Sequence, residues 1–250
     1  MIKRQKSIIN FLYPLSVIAI VTLLWQLVVS FKIVDAFLLP SPISVIKAII
    51  KDFDLLMFHS AYTLSAGITG LLLSILAAYI IAIAMDRFEF LNKAVYPLLV
   101  MSQTIPSIAI APLLVLWLGY GMLSKIVLVV MTCFFPLTVG ILEGFKSADT
   151  DGLNLLKSMG ANKNQMLYHI KLPESLSHFF AGLRVSVSYS VVSAVIAEWI
   201  GGTVGLGVYM TRVKKSYAFD KMFGVVFIIV IISVILIELV KILEKRCLKG

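Results

Sequence analysis

The chain has 250 residues, 60% of them hydrophobic, with a mean hydropathy of +1.01 and a formal charge of +9. Soluble domains carry about 45–50% apolar residues, so this composition excludes an ordinary soluble protein and predicts an all-α membrane protein of several spans. The basic residues fall between apolar runs, where they set membrane orientation rather than bind nucleic acid.

A helix crossing the hydrocarbon core needs about 20 largely apolar residues. Six stretches meet that length, roughly 11–30, 61–85, 95–118, 123–143, 179–200 and 222–240. Lys3, Arg4 and Lys6 precede the first run as in a signal peptide, but the run reaches Val29 without a small-residue cleavage site and reads as an uncleaved span. Residues 31–60 read as an outer loop. Pro40 and Pro42 give it an extended entry, and a short surface helix follows with Ile43, Ile46, Ile49 and Ile50 opposite Lys47 and Lys51.

The second span carries Ala66, Gly70, Ser74, Ala78 and Ala82, one small residue every fourth position. Such a ridge lets a neighbouring helix approach closely. The third span holds Pro97, Pro106 and Pro112, with Ser102, Gln103 and Thr104 between them. Prolines free backbone carbonyls, and a broken helix in a membrane is tolerated against protein or a water-filled path. Ser102, Gln103 and Thr104 are therefore candidates for a polar path, the alternative being a bent packing helix. Pro136 should bend the fourth span similarly. The fifth span repeats Gly182, Ser186, Ser190, Ala194 and Glu198 at intervals of four. Ser186, Ser190 and Glu198 extend the list of path candidates. An ionisable residue in a span is costly and rarely faces lipid. Glu198 either sits at the headgroup level beside Trp199, lines the path, or pairs with a basic residue such as Arg212. The sixth span ends in Glu238, Lys241, Glu244, Lys245 and Arg246, a charged helical anchor.

Asp149–Pro173 is the polar interruption in this apolar chain. Asp149, Thr150 and Asp151 are helix-start residues, and Leu153, Leu156 and Met159 follow at helical spacing. Gly160 supplies a stop, because it adopts a left-handed conformation without steric cost. Asn162 caps a second helix presenting Met166, Leu167 and Ile170, and Pro173 ends it. Two short helices at an angle should result, either lying on the lipid surface or docking a soluble partner. With the N-terminus in the cytoplasm, fourteen of the 22 Lys and Arg fall on the inner side, which favours both termini and the 149–173 loop inside. Arg212, Lys214 and Lys215 form an outer cluster against this trend, either tolerated in a short loop or a patch for an acidic external partner.

No catalytic constellation is present. Cys133 and Cys247 make no metal or redox motif, His59, His169 and His178 are dispersed, and the chain contains no G-x4-G-K-[ST] phosphate loop.

Gly160, then nine residues, then Ile170-Lys171-Leu172-Pro173 resembles the second half of the "EAA" loop of ABC importer permeases. The Glu-Ala-Ala of that loop is replaced here by Asn154, Leu155 and Leu156. The stretches Leu39 to Pro42, Ser102 to Gly121, Phe134 to Gly144, Gly182 to Arg184 and Ala197 to Gly202 resemble the nitrate/sulfonate/taurine group of these permeases. The likeness covers roughly residues 35–240. It implies a type I ABC importer permease-like fold of six transmembrane helices with both termini cytoplasmic. Residues 1–60 would then be an N-terminal span and outer loop, 61–240 the permease core with a coupling loop at 144–178, and 241–250 a tail.

The resemblance also implies a multi-pass protein of the bacterial inner membrane working as a homodimer. Two cytoplasmic ATPase subunits, which use ATP and Mg, and an extracytoplasmic solute-binding protein would be its partners. The chain itself would need no cofactor or metal. The coupling residues would be Leu155, Leu156, Gly160, Ala161, Ile170, Leu172 and Pro173. The stretch from Gly205 to Phe223 resembles permeases for thiamine-pyrimidine precursors, with alkanesulfonate, taurine or nitrate as the alternatives. A stand-alone secondary transporter is the reading from another class, disfavoured because it would not need the docking loop.

Overall fold

The structure, a computed structural model, describes the backbone of residues 2–248 and the side chains of residues 13 and 16–248. Helices α1 (Ile2–Ser30), α2 (Pro42–Lys51), α3 (Phe53–Arg87), α4 (Glu89–Ser102), α5 (Ser107–Leu118) and α6 (Met122–Lys146) form the first half. Helices α7 (Thr150–Ser158), α8 (Lys163–Met166), α9 (Leu172–Gly201), α10 (Leu206–Lys215) and α11 (Phe219–Cys247) follow, with a π turn at Leu167–Lys171 before α9.

Among the described residues, four stretches are long and apolar enough to cross a membrane: Phe53–Arg87, Met122–Lys146, Lys163–Gly201 and Phe219–Cys247. A fifth is added if α4 and α5 are counted as one broken span, and Ser16–Ser30 is a shorter apolar helix. Of the six spans expected from hydropathy, four or five are thus found among the described residues. The N-terminal side chains of the first expected span, with Lys3, Arg4 and Lys6, lie outside the described residues.

Two expectations are corrected and a third is decided between its alternatives. Residues 53–60 are not loop but the start of α3. No Gly or Pro interrupts the chain between Pro42 and Gly67, and Leu56 N–H finds the Asp52 carbonyl at 2.9 Å, so the helix restarts at once. Of the two readings left open for the third span, the broken helix is the one found: two helices meet at 100°. Pro106 caps α5 in an extended conformation (ψ 124°) and restrains Ile105 from helix, while the hydroxyls of Ser102 and Thr104 bond back to the Leu99 and Met101 carbonyls at 2.7 and 2.8 Å. Pro173 does not end a helix. Leu172 is helical (φ −64°, ψ −49°) and the chain runs straight into α9. A proline inside an α-helix clashes with the carbonyl four residues back; the π turn over 167–171 widens the ladder at that carbonyl and lets the helix pass.

The chain packs as two compact units. The first comprises Met1–Met57 and Met210–Ile228. Here Pro42, Val45 and Ala48 of α2 turn inward while Ile43, Ile46 and Ile50 stay exposed, as a helix lying against lipid requires. Trp25 stacks on Phe227 at 6.0 Å, and Lys221 pairs with Asp52 at 2.6 Å.

The second unit comprises Phe58–Tyr209 and Ile229–Gly250. Its small residues point inward and its large ones outward. Ala66, Ser74, Ala78 and Ala82 are fully buried, whereas Leu72, Leu76 and Ile80 on the same helix are exposed. Lipid is as apolar as leucine, so close van der Waals contact and hydrogen bonds, rather than water exclusion, hold such helices together. The expected ridge is thus the contact face of α3. A Cβ at Gly70 would lie 2.6 Å from Val129 Cβ, and Ser74 Oγ donates to the Val130 carbonyl at 3.2 Å.

The α6–α9 pair is closer still. Cβ atoms at Gly182 and Gly144 would lie 2.5 Å from Pro136 O and 2.6 Å from Ser175 Cα, respectively. Ser186 Oγ donates to Cys133 O, and Cys133 Sγ to Ser186 O, both at 3.2 Å. Arg184 of α9 pairs with Glu244 of α11.

Candidate functional site

The 149–173 loop folds from its own caps. Asp149 accepts the Asp151 and Gly152 amides at 3.2 and 3.0 Å and starts α7, while its own amide donates to Glu174 at 2.8 Å. Gly160 sits at φ +84°, and the Ala161 amide returns to the Leu156 carbonyl at 2.9 Å, closing α7. Asn162 and Gln165 form a reciprocal capping box that starts α8, at 2.9 and 2.7 Å. The loop is tied to the end of α3 by Lys171–Asp86 at 2.6 Å and by Arg87 donating to Asn164 at 3.3 Å.

Anchored in this way, the loop presents apolar side chains to the outside. Leu155, Met159 and Tyr168 are 63, 75 and 70% exposed. Of the coupling residues expected from the sequence, Leu155 and Gly160 are exposed, Leu156 and Ala161 half-buried, and Ile170 and Leu172 half-buried toward the base; Pro173 is exposed at the start of α9. A cavity of about 590 Å³ opens beneath, lined by Ile83, Arg87, Leu153, Lys157, Lys163 and Met166 among others.

A second cavity, of about 290 Å³, lies at the break between α4 and α5. Ser102 and Gln103 line it as path candidates; Thr104, Ser186, Ser190 and Glu198 lie outside its lining. Ser186 and Ser190 instead bond to backbone in buried positions, Ser190 Oγ to Val187 O at 2.8 Å. The sequence reading missed Ser107, Thr132, Tyr189 and Ser193, which also line the cavity. Thr132 and Ser193 join α6 to α9 by a hydroxyl pair at 2.8 Å. A polar pair at helical spacing, Tyr189 and Ser193, was the available signal, one position off the ladder of small residues.

Glu198 is 1% exposed, so its carboxylate is held inside the protein and away from lipid. Its carboxylate accepts Thr63 Oγ1 at 3.0 Å and the Gly207 amide at 2.9 Å. Thr63 Oγ1 in turn accepts the Leu206 amide at 2.9 Å, and His59 Nδ1 the Gly205 amide at 3.0 Å. Lys125, also 1% exposed, donates to Val204 O at 3.2 Å and covers the Tyr62 ring at 4.4 Å. These buried groups fasten the glycine-rich turn at 202–207 to α3, α6 and α9. Among the described residues no group of three or more His, Cys, Asp or Glu could hold a metal.

Residues 70–249 match the family described as binding-protein-dependent transport system inner membrane component. The chain belongs to this family. It is therefore a multi-pass inner-membrane permease subunit of an ABC importer, and ATP hydrolysis belongs to a separate subunit of the system.

Among relatives of this permease, a probable ABC transporter permease protein of Haemophilus influenzae is 36% identical, over 91% of this chain and 93% of its own. The formylaminopyrimidine transport permease protein ThiX of Halalkalibacterium halodurans is 38% identical, over 84% of each. The taurine transport permease TauC of Escherichia coli is 27% identical over 92% and 86%. The resemblance read from the motifs is thereby borne out. In fold the permease is similar to the crystal structure of an amino acid ABC transporter with histidines (TM-score 0.67, 13% identity, covering 79% of this chain and 96% of that one). It is also similar to the inward-facing MetNI methionine ABC transporter (TM-score 0.59, 17% identity, covering 79% and 94%).

Proposed function

We propose that two copies of this chain form the passage of an importer for a small polar solute, with both termini and the 149–173 loop in the cytoplasm. Two ATPase subunits, using ATP and Mg, dock on the paired loops through Leu155, Leu156, Gly160, Ala161, Ile170, Leu172 and Pro173. A solute-binding protein delivers cargo from outside, with Arg212, Lys214 and Lys215 as its contact patch. Closure of the ATPases on nucleotide moves both loops together, and the helices they are tied to rock between outward-open and inward-open states. Nucleotide and loaded binding protein drive this cycle only by binding one state better than the other.

The observation that carries the reading is the loop itself: an apolar tip of Leu155, Met159 and Tyr168 on a base tied to α3 by Lys171–Asp86. A tip that packs into a partner while its base is held by charge-assisted bonds transmits displacement to the spans.

The cargo we propose is a pyrimidine precursor of thiamine. The formylaminopyrimidine permease ThiX, at 38% identity, supports this over the sulfonate and taurine permeases at 26 and 27%. The test is uptake by cells in which the gene is deleted and then restored. Restored uptake of labelled aminopyrimidine precursor with alkanesulfonate uptake unchanged is expected. Restoration of sulfonate uptake alone would refute the cargo assignment and return the protein to the sulfonate branch.

A further inference from the structure

The cavity at the α4–α5 break is half polar and half apolar and carries no charged side chain. Its lining includes Gln103, Ser107, Thr132, Tyr189 and Ser193, and no Asp, Glu, Lys, Arg or His. Thr132 and Ser193 spend their hydroxyls on each other and on the Leu128 and Val129 carbonyls. The Gln103 amide and the Ser107 and Tyr189 hydroxyls make no side-chain hydrogen bond among the described residues. They are available to a guest. An amide offers donors and an acceptor side by side, and each hydroxyl can do either.

The backbone adds a field without a net sign. Ser102 and Gln103 close α4, and Pro106 and Ser107 open α5, so a helix C-terminus and a helix N-terminus line the same space. Each end carries about half an elementary charge, of opposite sign. Side by side they oppose each other for an ion but give a local dipole for a polar neutral molecule. An ion entering this site would shed water and find no counter-charge, which is costly. The volume, about 290 Å³, lies at the small end of ligand sites, and Tyr189 contributes a half-exposed ring that a flat guest can cover.

We infer that this cavity is a selectivity site for an uncharged, planar, hydrogen-bonding heterocycle, held by Gln103, Ser107 and Tyr189. The inference rests on the chain being an importing permease, but not on the thiamine precursor as cargo.

The test uses the complete transporter in the deletion strain, with labelled aminopyrimidine, cytosine, alkanesulfonate and nitrate offered in parallel. Uptake restricted to the uncharged compounds is expected. Gln103→Leu and Tyr189→Phe should each slow that uptake about tenfold, the loss of one well-made hydrogen bond. Binding-protein-stimulated ATP hydrolysis of the same complexes should stay within twofold of the parent. Gln103→Glu, which adds a charge at unchanged size, should slow uptake further. Restored uptake of sulfonate or nitrate would overturn the inference, as would normal uptake by all three variants. Loss of stimulated ATP hydrolysis together with uptake would also overturn it, because the residues would then serve coupling rather than cargo. Import of cytosine but not aminopyrimidine would refute the proposed cargo while upholding the site.

Discussion

Replacing Gly160 with valine should cut uptake by at least tenfold while the ATPase subunits continue to hydrolyse ATP. Gly160 closes α7 at φ +84°, and a Cβ there would meet nothing within 4 Å. The penalty therefore comes from the backbone and not from a clash. A left-handed residue with a side chain costs about 1–2 kcal/mol, and a β-branched one more. The loop can escape that cost only by changing the angle between α7 and α8, which reorients Leu155 and Met159. The effect should follow tolerance of the left-handed region and not side-chain size. Gly160→Asn should retain most uptake, Gly160→Ala less, and Gly160→Val least. Uptake per ATP hydrolysed, measured on the reconstituted complex, checks the order. A series that tracked volume instead would mean that Gly160 is needed for contact.

Replacing Gly182 with leucine should destabilise the permease itself. A Cβ at this position would lie 2.5 Å from the Pro136 carbonyl oxygen, a backbone atom that cannot rotate away. Helices α6 and α9 would have to separate, pulling apart the reciprocal Ser186 and Cys133 bonds one turn further on. Overpacking typically costs about 1–3 kcal/mol, and a backbone-to-backbone contact belongs at the upper end, about 3 kcal/mol. Thermal melting in mild detergent should fall clearly below the parent. Val185→Leu on the same helix should melt as the parent does, since Val185 is 45% exposed and its side chain has room to grow. Equal melting of Gly182→Leu and the parent would show that the two helices do not rely on this approach.

Local signals in the sequence translated well into structure. Asp149, Asn162 and Gly160 each act within four residues of themselves, so their caps and turn could be read directly, though Gln165 as the reciprocal partner of Asn162 was not. The ladder Ala66 to Ala82 was legible because helical spacing puts all five residues on one face, and a face of small residues has one use in lipid. The passage through Pro173 was not legible. A proline argues for a break, and only the π turn upstream makes room for it. The depth of the α4–α5 break was also hidden. Three prolines predict bends but give no angle, and the 100° turn depends on where residues 103–106 find their hydrogen bonds. Glu198 was recognised as costly, yet Thr63 stands 135 positions away in the chain and Gly207 donates through backbone, so neither was visible as a partner. The cavity residues Tyr189 and Ser193 were missed for a related reason. The ladder from Gly182 to Glu198 marked the packed face of α9, and the face turned to the cavity lies beside it.

On the proposed function, this chain works by receiving the ATPase stroke on the 149–173 loop. Purification of the tagged chain in mild detergent tests it most directly. An ATPase subunit should be retained with the parent chain and lost when Leu155 and Met159 are both replaced by aspartate. Retention of the ATPase by that double variant, or uptake by the parent chain with no ATPase subunit present, would contradict it.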